Sequence, residues 1–203
     1  MQIIQPSAEL LGEIDGIEIL RHVERCGRVC YKSEWRITQD SYAAFVGKII
    51  ANGHEAVLEH ASVTARIICD RGVSHEIVRH RLASYCQEST RYVDYAGERA
   101  SLQVICPAGL GPGEFALWRD AMLACEAAYI ELRRGGVSPQ IARSALPNAL
   151  KTELMMTANL REWRHFFKLR LGPAAHPQMR ETAALILREL SAKIPIVFEE
   201  FCV

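Results

Sequence analysis

Apolar residues recur along this chain at two spacings, about every third or fourth position and every second position, which predicts helices and strands in one mixed fold. Met1 to Ile4 reads as a short strand, and from Gly16 the residues Ile17, Leu20, Val23 and Val29 keep near-helical spacing to about Tyr31, ending near Lys32. Thr38 is positioned to cap a second helix bearing Tyr42, Phe45, Val46 and Ile49 on one face, with Asn52-Gly53 as its stop. Residues 62 to 69 (SVTARIIC) carry the β-branched side chains of a strand, and Ser74 to Val78 reads as a helical turn. Val104 to Cys106 predicts another strand, and the Gly- and Pro-rich segment 107–113 a loop.

From Glu114 to Arg134 the residues Leu117, Ala121, Ala124, Ala128 and Leu132 form a stripe of mostly small side chains, expected to pack closely before Gly135-Gly136 ends the helix. Ser138-Pro139 starts a short helix carrying Arg143, halted before Leu146-Pro147. Residues 152–158 predict a strand, Asn159 caps a helix to Leu169, and Pro177 opens the last helix, ending near Ile194-Pro195. Without a regular βαβ rhythm, the pattern predicts an α+β class: a mixed or antiparallel sheet with packed helices, non-Rossmann, in a single domain.

Composition narrows the function. A chain of 203 residues, 49% hydrophobic, can bury roughly 70% of its unfolded surface. Lys plus Arg and Asp plus Glu number 24 each, which argues against a broad nucleic-acid surface. Seven cysteines without CxxC spacing, in a chain with no apolar leader, fit free thiols in a reducing cytoplasm. No apolar run approaches the ~20 residues that cross a bilayer, so a soluble protein without membrane association is expected.

Against this neutral background the segment RHRLASYCQESTRY, residues 79–92, stands out. Arginine's planar fork pairs with phosphate or carboxylate oxygens, so Arg79, Arg81 and Arg91 beside Ser84, Ser89 and Thr90 point to an anionic ligand. A solvated basic loop is the plain alternative. A second polar series follows: Arg143, Asn159, Arg161, His165, Arg170, His176, Gln178 and Arg180. His54, His60, His75, Glu76 and His80 do not fall at HExxH spacing, and the adjacent arginines repel a dication, so no metal is expected. Neither GxGxxG nor GxxxxGK[ST] occurs, so a nucleotide must be held otherwise. Cys86 is either a nucleophile activated by nearby cations or simply a small packed thiol.

Arg79-His80-Arg81, seven residues, then Ser89 resembles the RHRx7S signature of the flavin-dependent thymidylate synthases. Cys30-Tyr31-Lys32-Ser33, Glu59-His60, Ser89-Thr90-Arg91-Tyr92, Arg143 with Leu146-Pro147, Asn159-Leu160-Arg161 and Arg170 are similar to that family's landmarks, in order. The resemblance implies one domain over residues 1–203 that converts dUMP to dTMP. Methylenetetrahydrofolate would be the carbon donor and NADPH-reduced FAD the hydride source, at sites between subunits of a cytoplasmic homotetramer. It implies FAD contacts at Ser62, Arg79, His80, Arg81, Gln87, Asn159, Leu160, Arg161 and His165, with His60 near the flavin or folate ring. For dUMP it implies Glu76, Ile77, Val78, Arg79, Gln87, Glu88, Ser89, Thr90, Arg91, Arg143 and Arg170. Arg170 takes the catalytic part, because a guanidinium at the uracil edge favours the N3-deprotonated ring and activates C5. Glu76 stands where some members carry glutamine, and Gln87 where some carry glutamate. A non-catalytic nucleotide- or RNA-binding regulator that kept the arginine pocket is the alternative function, and a synthase using Cys86 as nucleophile is a third.

Overall fold

The computed structural model describes residues 1–97 and 101–202. In chain order the elements are β1 (Gln2–Ile4), β2 (Ser7–Leu11), α1 (Gly16–Arg28), α2 (Ser41–Ala51), β3 (Ser62–Asp70), α3 (Arg71–Ile77), β4 (Ala83–Gln87), β5 (Gln103–Ile105), α4 (Pro112–Arg134), α5 (Pro139–Ala142), β6 (Lys151–Asn159), α6 (Leu160–Arg170), α7 (Pro177–Lys193) and α8 (Pro195–Phe198). Single 3-10 turns include Val29–Tyr31, Glu55–His60 and Arg143–Ala145.

A four-stranded sheet has the order β2-β3-β6-β4, and β1 pairs in parallel with β5. The central pair β3 and β6 is antiparallel: Leu160 N donates to Ala61 O, the Thr64 and Thr157 hydroxyls meet at 2.8 Å, and Arg71 N donates to Leu150 O. Both central strands alternate buried and half-buried positions, as a sheet covered on one face requires. The class is α+β with an antiparallel sheet and packed helices.

The chain forms two compact units: residues 1–7, 68–79 and 86–154 in the first, and 8–67, 80–85 and 155–203 in the second. The first is built around Tyr95, Leu102, Val104, Tyr129, Ala142 and Leu150, with Trp118 and Met122 of α4 packed against them. The second buries Trp163, Phe166 and Phe167 of α6 with Phe198 of α8; Trp163 stacks on Phe167 with centroids 6.1 Å apart and donates its Nε1 to Val63 O at 3.1 Å. Each such ring contributes roughly 1.5–3 kcal/mol by burial alone. Asn159 caps α6 as expected, its Oδ1 accepting from Glu162 N at 2.8 Å. Gly136 at φ +84 closes α4.

Several expectations change. Thr38 is not the cap of α2, which begins at Ser41; the Ser41 hydroxyl accepts from Thr38 N at 2.9 Å. Helix α3 begins at Arg71 rather than Ser74, because Asp70 accepts from Val73 N at 2.8 Å and caps it earlier. Strands β2 and β4 had no counterpart in the periodicity. Most of the α4 stripe faces outward: Leu117 is 75% exposed and Ala121, Ala124 and Ala128 are exposed, while Leu132 packs against the first unit's core and the helix buries Tyr129.

Candidate functional site

The arginine-rich segment is neither a plain loop nor one surface. It leaves α3, buries His80 (4% exposed), runs through β4, and ends in a turn where Ser89 O accepts from Tyr92 N and Val93 N. Arg79 and Arg81 are exposed on either side of His80 in sequence, and neither has an ion-pair partner among the described residues. Two uncompensated guanidiniums suit an anionic group such as a cofactor pyrophosphate.

In the first unit a cavity of about 610 Å3 is lined by Arg71, His75, Thr90, Arg143, Ser144 and Asn148 among others, with no carboxylate. Arg143 Nη1 donates to the buried Thr90 hydroxyl at 3.2 Å. Arg71 Nη1 is buried without a hydrogen-bond partner. A buried guanidinium nitrogen left unmatched is costly, and an anion in the cavity could match it. In the same unit, Gln87 Nε2 donates to Ser74 Oγ at 3.0 Å and Thr152 Oγ1 at 3.1 Å. Glu88 accepts from Lys151 Nζ and from the Tyr95 hydroxyl, both at 2.8 Å, so its charge is compensated within the fold. That carboxylate and burial both push the Tyr95 phenol upward, burial the more.

In the second unit, α6 places Glu162, His165 and Arg170 around the His80 ring. His80 Nδ1 lies 3.0 Å from Glu162 Oε1, and Arg170 Nε donates to His80 Nε2 at 3.1 Å. The rings of His165 and Phe166 lie 5.7 and 5.0 Å from His80, and the Tyr85 hydroxyl donates to His80 O at 2.7 Å. Burial holds the His80 imidazole below its ordinary value against the opposing pull of Glu162, and Arg170 lowers it further. Burial also pushes the Tyr85 phenol up to about 12. The ligand atoms of His80, Glu162 and His165 lie within 4.8 Å of one another, a spacing a metal could use. The Arg170 guanidinium against the same imidazole opposes a dication there.

A second cavity in this unit, about 450 Å3, is lined by Arg28, Tyr31, Trp35, Arg36, Phe45 and Lys48, with His54 at its edge and no carboxylate. Its wall is set by buried Glu24, which accepts from Arg28 Nη2 at 2.7 Å and Ser41 Oγ at 2.8 Å, and Arg28 in turn lies 4.6 Å over the Phe45 ring. Gly27 lets α1 approach, since a Cβ there would meet Phe45 Cζ at 2.6 Å. Tyr31 and Trp35 are 81% and 77% exposed, with the Arg36 guanidinium 4.7 Å over the Trp35 ring.

A profile of the thymidylate synthase complementing protein family matches residues 15–196. Relatives named flavin-dependent thymidylate synthase include one from Geobacter sulfurreducens, 37% identical over 88% of this chain and 80% of the relative. Another, from Pyrococcus abyssi, is 35% identical over 81% and 71%. One from a Mycobacterium species is 40% identical over 88% and 78%. The chain belongs to the flavin-dependent thymidylate synthase family. Its fold is also that of a UMP/dUMP methylase, PolB, from Streptomyces cacaoi, solved with 5-Br dUMP: TM-score 0.81, 20% identity, 99% of this chain and 96% of that one.

The remaining family landmarks fall in varied settings. Leu160 is fully buried, Asn159 is occupied as a helix cap, and Arg161 makes an exposed ion pair with Glu59 at 2.5 Å. Ser62 and His60 are exposed where the 55–60 turn meets β3. Arg91 lies 5.4 Å over the exposed Tyr92 ring. Glu76 is half-buried at the end of α3, with Ile77 buried and Val78 exposed. Cys86 is exposed on β4, and all seven cysteines are free. Sequence reasoning missed Arg71, Glu162, and the Trp35, Arg36 and Lys48 wall. The only sequence signal was a cation directly after the Cys69-Asp70 strand end. Among the described residues no helix is long and apolar enough to cross a membrane.

Proposed function

We propose that the protein methylates dUMP to dTMP, taking the carbon from methylenetetrahydrofolate with NADPH as reductant. The observation that carries this reading is the carboxylate-free cavity holding Arg143 and the unmatched Arg71 nitrogen, in a chain of this family. That cavity suits the nucleotide phosphate: Arg71 and Arg143 offer charged N–H donors, Thr90 lines the same wall, and Ser89 and Arg91 flank Thr90 in sequence. Arg170 would present its guanidinium to the uracil edge, lower the N3 pKa and polarise C5. FAD, when bound, supplies the hydride that reduces the transferred carbon to a methyl group. Arg79 and Arg81, without carboxylate partners, suit its pyrophosphate, and Ser62 and His165 are exposed and available to it. The aromatic and cationic cavity around Trp35, Arg36 and Lys48 suits a ring with an anionic tail, the chemistry of a folate.

The exposed Leu117-Ala121-Ala124-Ala128 face of α4 supports a homotetramer, because small side chains let a helix of another copy approach closely. In such an assembly, residues of different protomers can serve one nucleotide. The family match runs across both units and supports reading them as one functional domain, and the seven free cysteines favour a reducing cytoplasm.

Purified protein given FAD should show a flavin spectrum and form dTMP only with dUMP, NADPH and the folate together. Cys86→Ala should keep this activity and Arg170→Ala should lose it. The reverse pair of results would favour a cysteine nucleophile.

A further inference from the structure

Glu162 occupies the first turn of α6, buried, and the proposed reaction gives it no part. Its neighbours define one. An arginine Nε can only donate, so the 3.1 Å bond from Arg170 requires a lone pair on His80 Nε2. A neutral imidazole then carries its proton on Nδ1, which donates to Glu162 Oε1 at 3.0 Å. Ionised Glu162, neutral His80 and cationic Arg170 form a single consistent chain of donors and acceptors. Protonating His80 would set N–H against N–H and cation against cation.

We infer that Glu162 is a positioning residue: through the His80 ring it fixes the plane in which Arg170 presents its guanidinium to the pyrimidine. The inference rests on the reading that Arg170 meets that ring. The groups facing His80 are Glu162, His165 and Arg170 from α6 and the Tyr85 hydroxyl from β4, with the Phe166 ring alongside. Within that set Glu162 is the only carboxylate, and it alone favours the tautomer Arg170 needs.

The test is equilibrium binding of dUMP to FAD-loaded protein from about pH 5 to pH 8, where a histidine of this kind titrates. In Glu162→Gln an acceptor oxygen remains but the charge and the tautomer preference are lost. Affinity should fall about tenfold at neutral pH, with flavin retained. The acid limb should also move to lower pH, since the carboxylate that favoured the imidazolium is gone. Adding Glu162→Gln to Arg170→Ala should cost nothing more. Unchanged affinity and an unmoved limb, or effects that simply add, overturn the inference. Should the variant fail to fold, nitrogen-15 histidine spectra of the wild-type protein decide it, with the His80 signal assigned by difference from His80→Gln. The Nδ1–H tautomer is expected, and the Nε2–H tautomer overturns the relay. Wild-type protein that binds neither flavin nor dUMP brings down the functional reading and this inference together. A binding wild type with an indifferent Glu162→Gln brings down the inference alone.

Discussion

Arg164, fully buried, and Arg71, half-buried with one buried nitrogen, are two guanidiniums with opposite surroundings. Arg164, 2% exposed in the second unit, is answered on every side: Glu55 at 3.1 Å, Glu200 at 2.8 Å, the Val197 carbonyl, and the Phe201 ring 5.3 Å away. Burial alone would raise Glu55, but Arg164 and Lys168 outweigh it and hold its carboxyl below the usual range. Arg71, in the first unit, has a buried nitrogen with no partner and lines a cavity that contains no carboxylate. A satisfied buried cation holds the fold together. An unmatched one beside a roomy cavity has a donor to offer, so it marks a place where an anionic ligand would gain a charge-assisted hydrogen bond.

The largest effect should come from breaking the satisfied member. Arg164→Ala removes the buried guanidinium shared by Glu55, Glu200 and the Val197 carbonyl, leaving Glu55 with Lys168, and should destabilise the protein by about 3–5 kcal/mol in denaturant unfolding. An unchanged midpoint would erase the contrast. Arg71→Ala should do the reverse, leaving the melting temperature equal or higher while weakening dUMP binding roughly tenfold to a hundredfold by calorimetry. Arg143→Ala removes a donor that already has the Thr90 hydroxyl, and should weaken dUMP by no more than about tenfold. The smallest effect belongs to a partly exposed ion pair. Asp94 accepts from Arg133 Nη2 at 2.7 Å, and this bond chiefly holds its carboxyl down at about 2. Its folded value is depressed, so its contribution is complete above the unfolded value of about 4 and fades as the pH falls toward the folded one. Asp94→Asn should lower the melting temperature slightly at neutral pH and flatten part of its acid decline.

Much of this was legible in the sequence, and the failures share a cause. Helices α1, α4, α6 and α7 announce themselves through spacing and through ends such as Asn159 and Gly135-Gly136. SAELL and ASYCQ, the strands β2 and β4, hold no β-branched residue, and their conformation comes from neighbours in the sheet that no local window contains. The basic motif revealed its charge but not that His80 would be buried between Glu162 and Arg170, a pairing set by residues 82 and 90 positions away. Periodicity marked the α4 stripe as a packing face without saying whether its partner lies in the same chain. Likewise His60 drew attention through its sequence neighbours, whereas His54 is the histidine that lines the aromatic cavity.

Flavin-dependent methylation of a pyrimidine nucleotide is the proposed activity on which the site assignments depend. The most direct measurement is the flavin absorbance of FAD-loaded protein during turnover, with dTMP quantified in the same sample. The bands should bleach with NADPH and return when dUMP and methylenetetrahydrofolate are added, as dTMP accumulates. Protein that stays colourless after FAD addition and makes no dTMP would contradict the account.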